Sequence, residues 1–213
     1  MKRPYIVINC AMTADGKIAK PSGSQLKISC EEDMKRVYQL RNDSDAVLVG
    51  INTVLSDDPK LTVKEKYVKN PKQPLRVVLD SKCRTPVDSL VVNETAKTII
   101  FTSEKTGKKY PYNIEIVICE TGKDGLINLE KMLKTLSEKK VKKLMVEGGS
   151  TVIYNFLKNG LVDDFYVYTG PMILGSKKAP SLINQENFEQ IIKLKIVDTK
   201  KIGEGLLVHY RLL

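Results

Sequence analysis

Two rhythms of apolar and polar positions run along this chain. Short, nearly unbroken apolar runs bounded by glycine, proline or polar clusters read as strands buried on both faces. They are "YIVINCAM", "DAVLVG" (Asp45 to Gly50), "LRVVLD" (Leu75 to Asp80), "KTIIFT", "IEIVIC", "KKLMVEGG" and the start of "VDDFYVYTGPMILG". Between several of them the period lengthens to that of a helix. "SCEEDMKRVYQLRNDS" places Met34, Val37, Tyr38 and Leu40 on one stripe, with Ser29 and Glu32 at capping-box spacing. "INTVLSDDP" reads as a short helix stopped by Pro59. "LINLEKMLKTLSEKK" sets Leu129, Met132, Leu133 and Leu136 on one face, and "STVIYNFLKNG" ends at Gly160, a helix-terminating residue. The last stretch, "LKIVDTKKIGEGLLVHYRLL", reads as a hairpin turning at Gly203–Gly205.

Strand and helix therefore alternate, and consecutive strands close the chain. That order predicts an α/β fold with a mostly parallel central sheet, antiparallel C-terminal edge strands and flanking helices. At 213 residues the chain is expected to form one domain, residues 1–213. "VKEKYVKNPKQP" is expected to be a surface loop within it. No apolar stretch approaches the roughly 20 residues of a membrane span, and the N-terminal run is broken by Asn9. A soluble, cytoplasmic protein with no membrane partner is the expectation.

Side-chain chemistry narrows the function. Cys10, Cys30, Cys83 and Cys119 form no Cys-x-x-Cys pair, so free thiols are expected. His209 is the single histidine and lies in an alternating, strand-like stretch, where a structural role is expected. A His/Cys metal centre and a Ser-His-Asp hydrolase are therefore disfavoured. The net charge of +10 fits a polyanionic partner, a multiply phosphorylated small molecule, or simply a lysine-rich surface. Aromatic residues make up 6% of the chain and tryptophan is absent, which weakens a stacking surface for single-stranded nucleic acid.

Ligands of parallel sheets bind beyond the carboxyl ends of the strands. Those ends carry Gly50-Ile51-Asn52-Thr53, Ser81-Lys82-Cys83-Arg84, Ser103, Gly148-Gly149-Ser150-Thr151 and Gly170-Pro171. Small residues admit a ligand to the backbone, and free amides at a helix N-terminus attract phosphate. Each such segment is also what an ordinary strand-to-helix turn looks like. No Gly-x-Gly-x-x-Gly follows the first strand, and no Walker motif occurs.

In this order "MTADGKIA", "TVLSDDPKLTV", "VLDSK" and "VEGGSTVIYNFL" resemble one family across essentially the whole chain. It is the riboflavin-pathway pyrimidine reductase family: the reductase half of bacterial deaminase-reductases and their stand-alone archaeal and fungal relatives. The resemblance implies a dihydrofolate-reductase-like fold, NADPH, a homodimer and no metal. It implies reduction of the ribosylamino group of a pyrimidine 5′-phosphate to a ribitylamino chain. The deaminase signatures H-x-E and P-C-x-x-C are absent. The expected substrate is therefore 2,5-diamino-6-ribosylamino-4(3H)-pyrimidinone 5′-phosphate, with its deaminated counterpart as the alternative.

By the same resemblance, Ala11, Thr53, Asp57, Leu79, Asp80, Ser81 and Lys82 contact the cofactor, with Arg84 behind them. Gly148, Gly149, Ser150 and Thr151 hold its pyrophosphate. Gln25, Lys27, Arg41, Leu61, Lys64 and Glu147 face the substrate, and Glu147 and Asp15 are the catalytic candidates. At Gln25 and Lys27 the chain departs from the bacterial branch, which tends to carry Ser and Trp. Asp15 also reads as an Asp-Gly turn residue, and Glu147 as a strand-end acceptor for backbone amides. Two rival readings are a dihydrofolate reductase on the same fold and a basic nucleic-acid-binding protein.

Overall fold

The computed structural model describes residues 3–183 and 191–213. A nine-stranded sheet forms its centre, in the order β5-β4-β3-β2-β6-β1-β7-β9-β8. The strands are β1 (Tyr5–Thr13), β2 (Ala46–Gly50), β3 (Leu75–Leu79), β4 (Thr98–Thr102), β5 (Ile114–Ile118), β6 (Lys143–Gly148), β7 (Asp164–Gly170), β8 (Leu194–Ile202) and β9 (Gly205–Leu212). The helices are α1 (Glu31–Asn42), α2 (Ile51–Asp57), α3 (Leu129–Glu138) and α4 (Ser150–Lys158). Every pairing from β5 across to β7 is parallel. The hairpin β8–β9 then joins β7 through antiparallel β9. This is the mostly parallel sheet with antiparallel edge strands expected from the sequence.

Alternation along the buried strands divides the core into two layers. Leu48, Leu144 and Val146 face α3 and α4, where Met132, Leu133, Leu136, Phe156 and Leu157 meet them. Val47, Val49 and Met145 face the opposite way, toward Val37 of α1 and Ile51 and Val54 of α2. Burying each large side chain contributes about 2 kcal/mol, which outweighs the weak propensity of such short helices. The first crossover, β1-α1-β2, covers one face, and β6-α4-β7 covers the other. The C-terminal ends of β1, β6, β2 and β3 therefore open into a shared crevice.

One expected detail differs. The N-cap of α1 is Cys30, not Ser29: the Cys30 Sγ accepts the Asp33 N–H at 3.5 Å. The Ser29–Glu32 capping box does not form; Glu32 instead accepts a 3.5 Å hydrogen bond from the same thiol. All four cysteines are free. His209 is bonded to the Asp164 carboxylate at 2.7 Å, as befits a structural side chain. Asp164 also takes hydrogen bonds from Tyr5 and Arg211. Among the described residues no helix is long and apolar enough to cross a membrane, and no cluster of metal-ligating side chains occurs.

Candidate active site

A cleft of about 1310 Å³ lies along the C-terminal ends of these strands. Its walls come from α1, α2, the 59–67 segment, the loop after β3, the loop before α3, and the turn from β6 into α4. The turn at Gly148–Thr151 answers what its glycines do. Gly149 is the N-cap of α4 and offers no side-chain cap, so the first amides of this nine-residue helix are left for another acceptor. Gly149 has ordinary backbone angles, φ −77 and ψ −163. A Cβ there would stand 3.4 Å from the Thr53 Oγ1 across the cleft. Gly148 is different: its φ of +120 requires glycine. Gly50 is needed for closeness, because a Cβ would lie 2.8 Å from Val152 where α2 and α4 begin.

Next to this turn, Arg41 of α1 crosses to Glu147 at the end of β6. Its Nε and Nη2 donate to the two carboxylate oxygens at 2.5 and 2.6 Å, and Nη1 donates to the Thr62 carbonyl at 3.1 Å. The Glu147 side chain is 13% exposed and that of Arg41 14%, so the pair is largely desolvated but still opens on the cleft. Both side chains were expected to meet substrate separately; the structure joins them. Tyr38 lies under Arg41 and Lys64 and stacks on Tyr67, with ring centroids 4.5 Å apart. That stack holds the lysine-rich 63–68 segment against α1. Leu61 is buried beside it with φ +50.

Of the other expected residues, Ala11, Gln25, Lys27, Thr53, Asp57, Leu79, Ser81, Ser150 and Thr151 also line the cleft. Burial pushes the Asp57 carboxyl up from its usual value, against the opposing hydrogen bond from Ser56. Arg84 donates to Asn52 at 3.0 Å, closing the end near Ser81.

Three expected residues lie outside the lining of the cleft. Asp15 does not line the cleft: its carboxylate accepts from the Thr13 hydroxyl at 2.5 Å and the Leu174 and Gly175 amides at 3.1 and 2.8 Å. These bonds hold its pKa down at about 2 and tie the Asp15 turn to the 174–175 backbone. Asp80 is fully buried and takes the Thr85 amide and hydroxyl, both at 2.7 Å, shaping the 81–85 loop from behind. Lys82 is exposed on that loop and does not line the cleft. Sequence reasoning missed Asn9, Tyr38 and Asn128, which do. The first two carried a faint signal, a polar residue inside an apolar strand and an aromatic on the helix stripe.

The chain matches the family described as "RibD C-terminal domain" over residues 4–208. It is 40% identical to the 2,5-diamino-6-ribosylamino-4(3H)-pyrimidinone 5′-phosphate reductase of Archaeoglobus fulgidus, over 98% of each chain. It is 41% identical to the protein of the same name from Methanothermobacter thermautotrophicus, again over 98% of each. Among solved structures, a deaminase/5-amino-6-(5-phosphoribosylamino)uracil reductase of Thermotoga maritima superposes with a TM-score of 0.86 at 30% identity. This chain is covered in full by that match but spans 57% of the Thermotoga protein. The chain belongs to the RibD C-terminal domain family.

Proposed function

We propose that this protein reduces 2,5-diamino-6-ribosylamino-4(3H)-pyrimidinone 5′-phosphate to its ribitylamino product with NADPH. One observation carries the reading: the uncapped start of α4, facing Thr53 across Gly149, lies beside the Arg41–Glu147 pair in one cleft. A site for a phosphorylated cofactor and a polar site for a second ligand are thus contiguous. The names of the two archaeal relatives, matched over 98% of their length, support the substrate.

The residues present fit the cofactor. The space a Cβ would fill at Gly149 admits a pyrophosphate to the free amides of Ser150 and Thr151, where the helix dipole favours anions. Thr53 adds a hydroxyl, and Ser81 with Arg84 suits a ribose 2′-phosphate, which selects NADPH over NADH. Ala11 leaves β1 without a bulky side chain where the nicotinamide would lie. When bound, the cofactor supplies the hydride that the opened imine form of the substrate accepts at the former anomeric carbon.

The protein's own part is orientation and charge. Glu147, its carboxylate fixed by both arms of Arg41, accepts hydrogen bonds from the amino groups of the pyrimidine. Lys27 and Lys64 meet the 5′-phosphate, Gln25 a sugar hydroxyl, and Leu61 an apolar edge of the base. Residues 1–213 act as one reductase domain. We further propose a homodimer, which the solvent-facing Ile196 and Val197 on edge strand β8 favour. The partners are thus a small phosphorylated pyrimidine and a second copy of the chain.

Reduction with NADPH deuterated at the transferred position tests the proposal. The label is expected at the carbon that was anomeric, and unlabelled or absent product overturns it. The name of the Thermotoga relative favours a second reading, in which the deaminated uracil compound is the substrate.

A further inference from the structure

We infer that Asn9 is a substrate-binding residue, whose side-chain amide, oriented by Arg36, donates a hydrogen bond to an oxygen of the pyrimidine nucleotide. This deepens the reductase reading and rests on it. Asn9 interrupts the apolar run of β1, is 7% exposed, and lines the cleft. Arg36 Nη2 donates to its Oδ1 at 2.7 Å. A guanidinium has no acceptor, so this bond fixes which end of the carboxamide is which. The oxygen faces Arg36, and the two Nδ2 hydrogens are left over. Among the described residues Nδ2 has no hydrogen-bond partner, yet it is not sealed in the interior. A nearly buried donor without a protein acceptor, on the wall of a ligand cleft, is one that a ligand or water must satisfy.

The support behind Asn9 is built in. Arg36 Nε donates to the fully buried Asp33 at 2.8 Å, and its guanidinium lies 5.9 Å from the Tyr166 ring centre. The chain Asp33–Arg36–Asn9 runs from α1 into the sheet and ends on the donor. Arg36 and Arg41, both on α1, reach Asn9 on β1 and Glu147 at the end of the adjacent β6, so the two side chains face the same helix. The floor therefore offers a donor and an acceptor side by side. A ribosylamino-pyrimidinone presents the complement: amino groups for Glu147, and a carbonyl or sugar oxygen for Asn9.

Steady-state kinetics of Asn9→Asp and Asn9→Leu test this. Asn9→Asp keeps an oxygen for Arg36 but removes the N–H donor; Asn9→Leu removes both. Both variants are expected to bind NADPH as the wild type does, which also reports the fold. Their kcat/KM for the pyrimidine phosphate is expected to fall roughly ten- to hundredfold. Arg36→Met, which lets the carboxamide rotate, is expected to lose less, and Arg36→Lys to recover part of the loss. Ribose 5-phosphate and a sugar-free aminopyrimidinone, used as competing ligands, locate the oxygen: weaker inhibition by one of them in Asn9→Asp assigns it. Undiminished inhibition by both, or wild-type kcat/KM in either Asn9 variant, overturns the inference. A wild type that binds NADPH but never turns over the pyrimidine phosphate overturns the reductase reading itself, a result visible before any variant is made.

Discussion

Three charged side chains at the residue scale show how differently one charge can be used. Arg41 and Glu147 satisfy each other at the cleft wall, and each was legible in the sequence only as a lone ion. They lie far apart in the chain, on a helix and a strand end, so no local pattern could pair them. Removing one partner strands the other in a poorly solvated place. Arg41→Met is therefore expected to lower stability by roughly 3 kcal/mol in chemical denaturation. Glu147→Gln keeps the shape and some bonding, and is expected to lower kcat well before it weakens NADPH. Unchanged kcat would remove Glu147 from the substrate site. Asp15 makes the opposite case, a familiar motif residue turned into a tether. Its pKa of about 2 lies below the roughly 3.9 of an unfolded chain, so its stabilisation is complete above the unfolded value. It is lost as pH falls toward 2. The melting-temperature gap between wild type and Asp15→Asn should thus be open at pH 6 and close on acidification; a gap that stays constant contradicts the tether.

The helices and strands were largely legible because burial on both sheet faces writes long apolar runs, and amphipathic packing writes the stripe of α3. Boundaries failed where the chemistry was unusual. Cysteine is outside the common N-cap set, so the start of α1 was placed one residue early at Ser29. The start of α4 was read as a phosphate cradle or a plain turn, and its geometry leaves room for the first. Gly149→Val should raise the dissociation constant for NADPH severalfold by filling the gap toward Thr53, with circular dichroism unchanged. Normal NADPH binding by that variant would remove the cradle. Arg76 on β3 was invisible, hidden within "LRVVLD". It is fully buried, has no carboxylate partner among the described residues, and donates to the Thr98 hydroxyl, the Asn93 side chain and the carbonyls of Leu90, Asn93 and Ala96. Burial pulls its pKa down to about 10. Arg76→Leu removes five hydrogen bonds at once, leaving the Asn93 and Ala96 carbonyls to Asn113 alone, and should cost roughly 3 kcal/mol by denaturant titration, since the 90–96 turn is built around it.

At the scale of the whole molecule, the sheet order explains why so few polar residues suffice. Crossovers leave the β1–β6–β2 centre on opposite faces, so a crevice opens at the strand ends. Motifs spread from Met12 of "MTADGKIA" to Leu157 of "VEGGSTVIYNFL" meet around that crevice, though not every motif residue reaches it. The sequence pattern located the strand ends but not which side chains turn inward, because loop residues such as Asp80 and Lys82 alternate in direction with no periodicity to read. The net charge of +10 suits a substrate and cofactor that both carry phosphate. The most direct test of the account is the initial rate of NADPH oxidation with 2,5-diamino-6-ribosylamino-4(3H)-pyrimidinone 5′-phosphate and its deaminated counterpart, side by side. The account predicts faster turnover of the diamino compound. Faster turnover of the deaminated compound, or none with either, would contradict it.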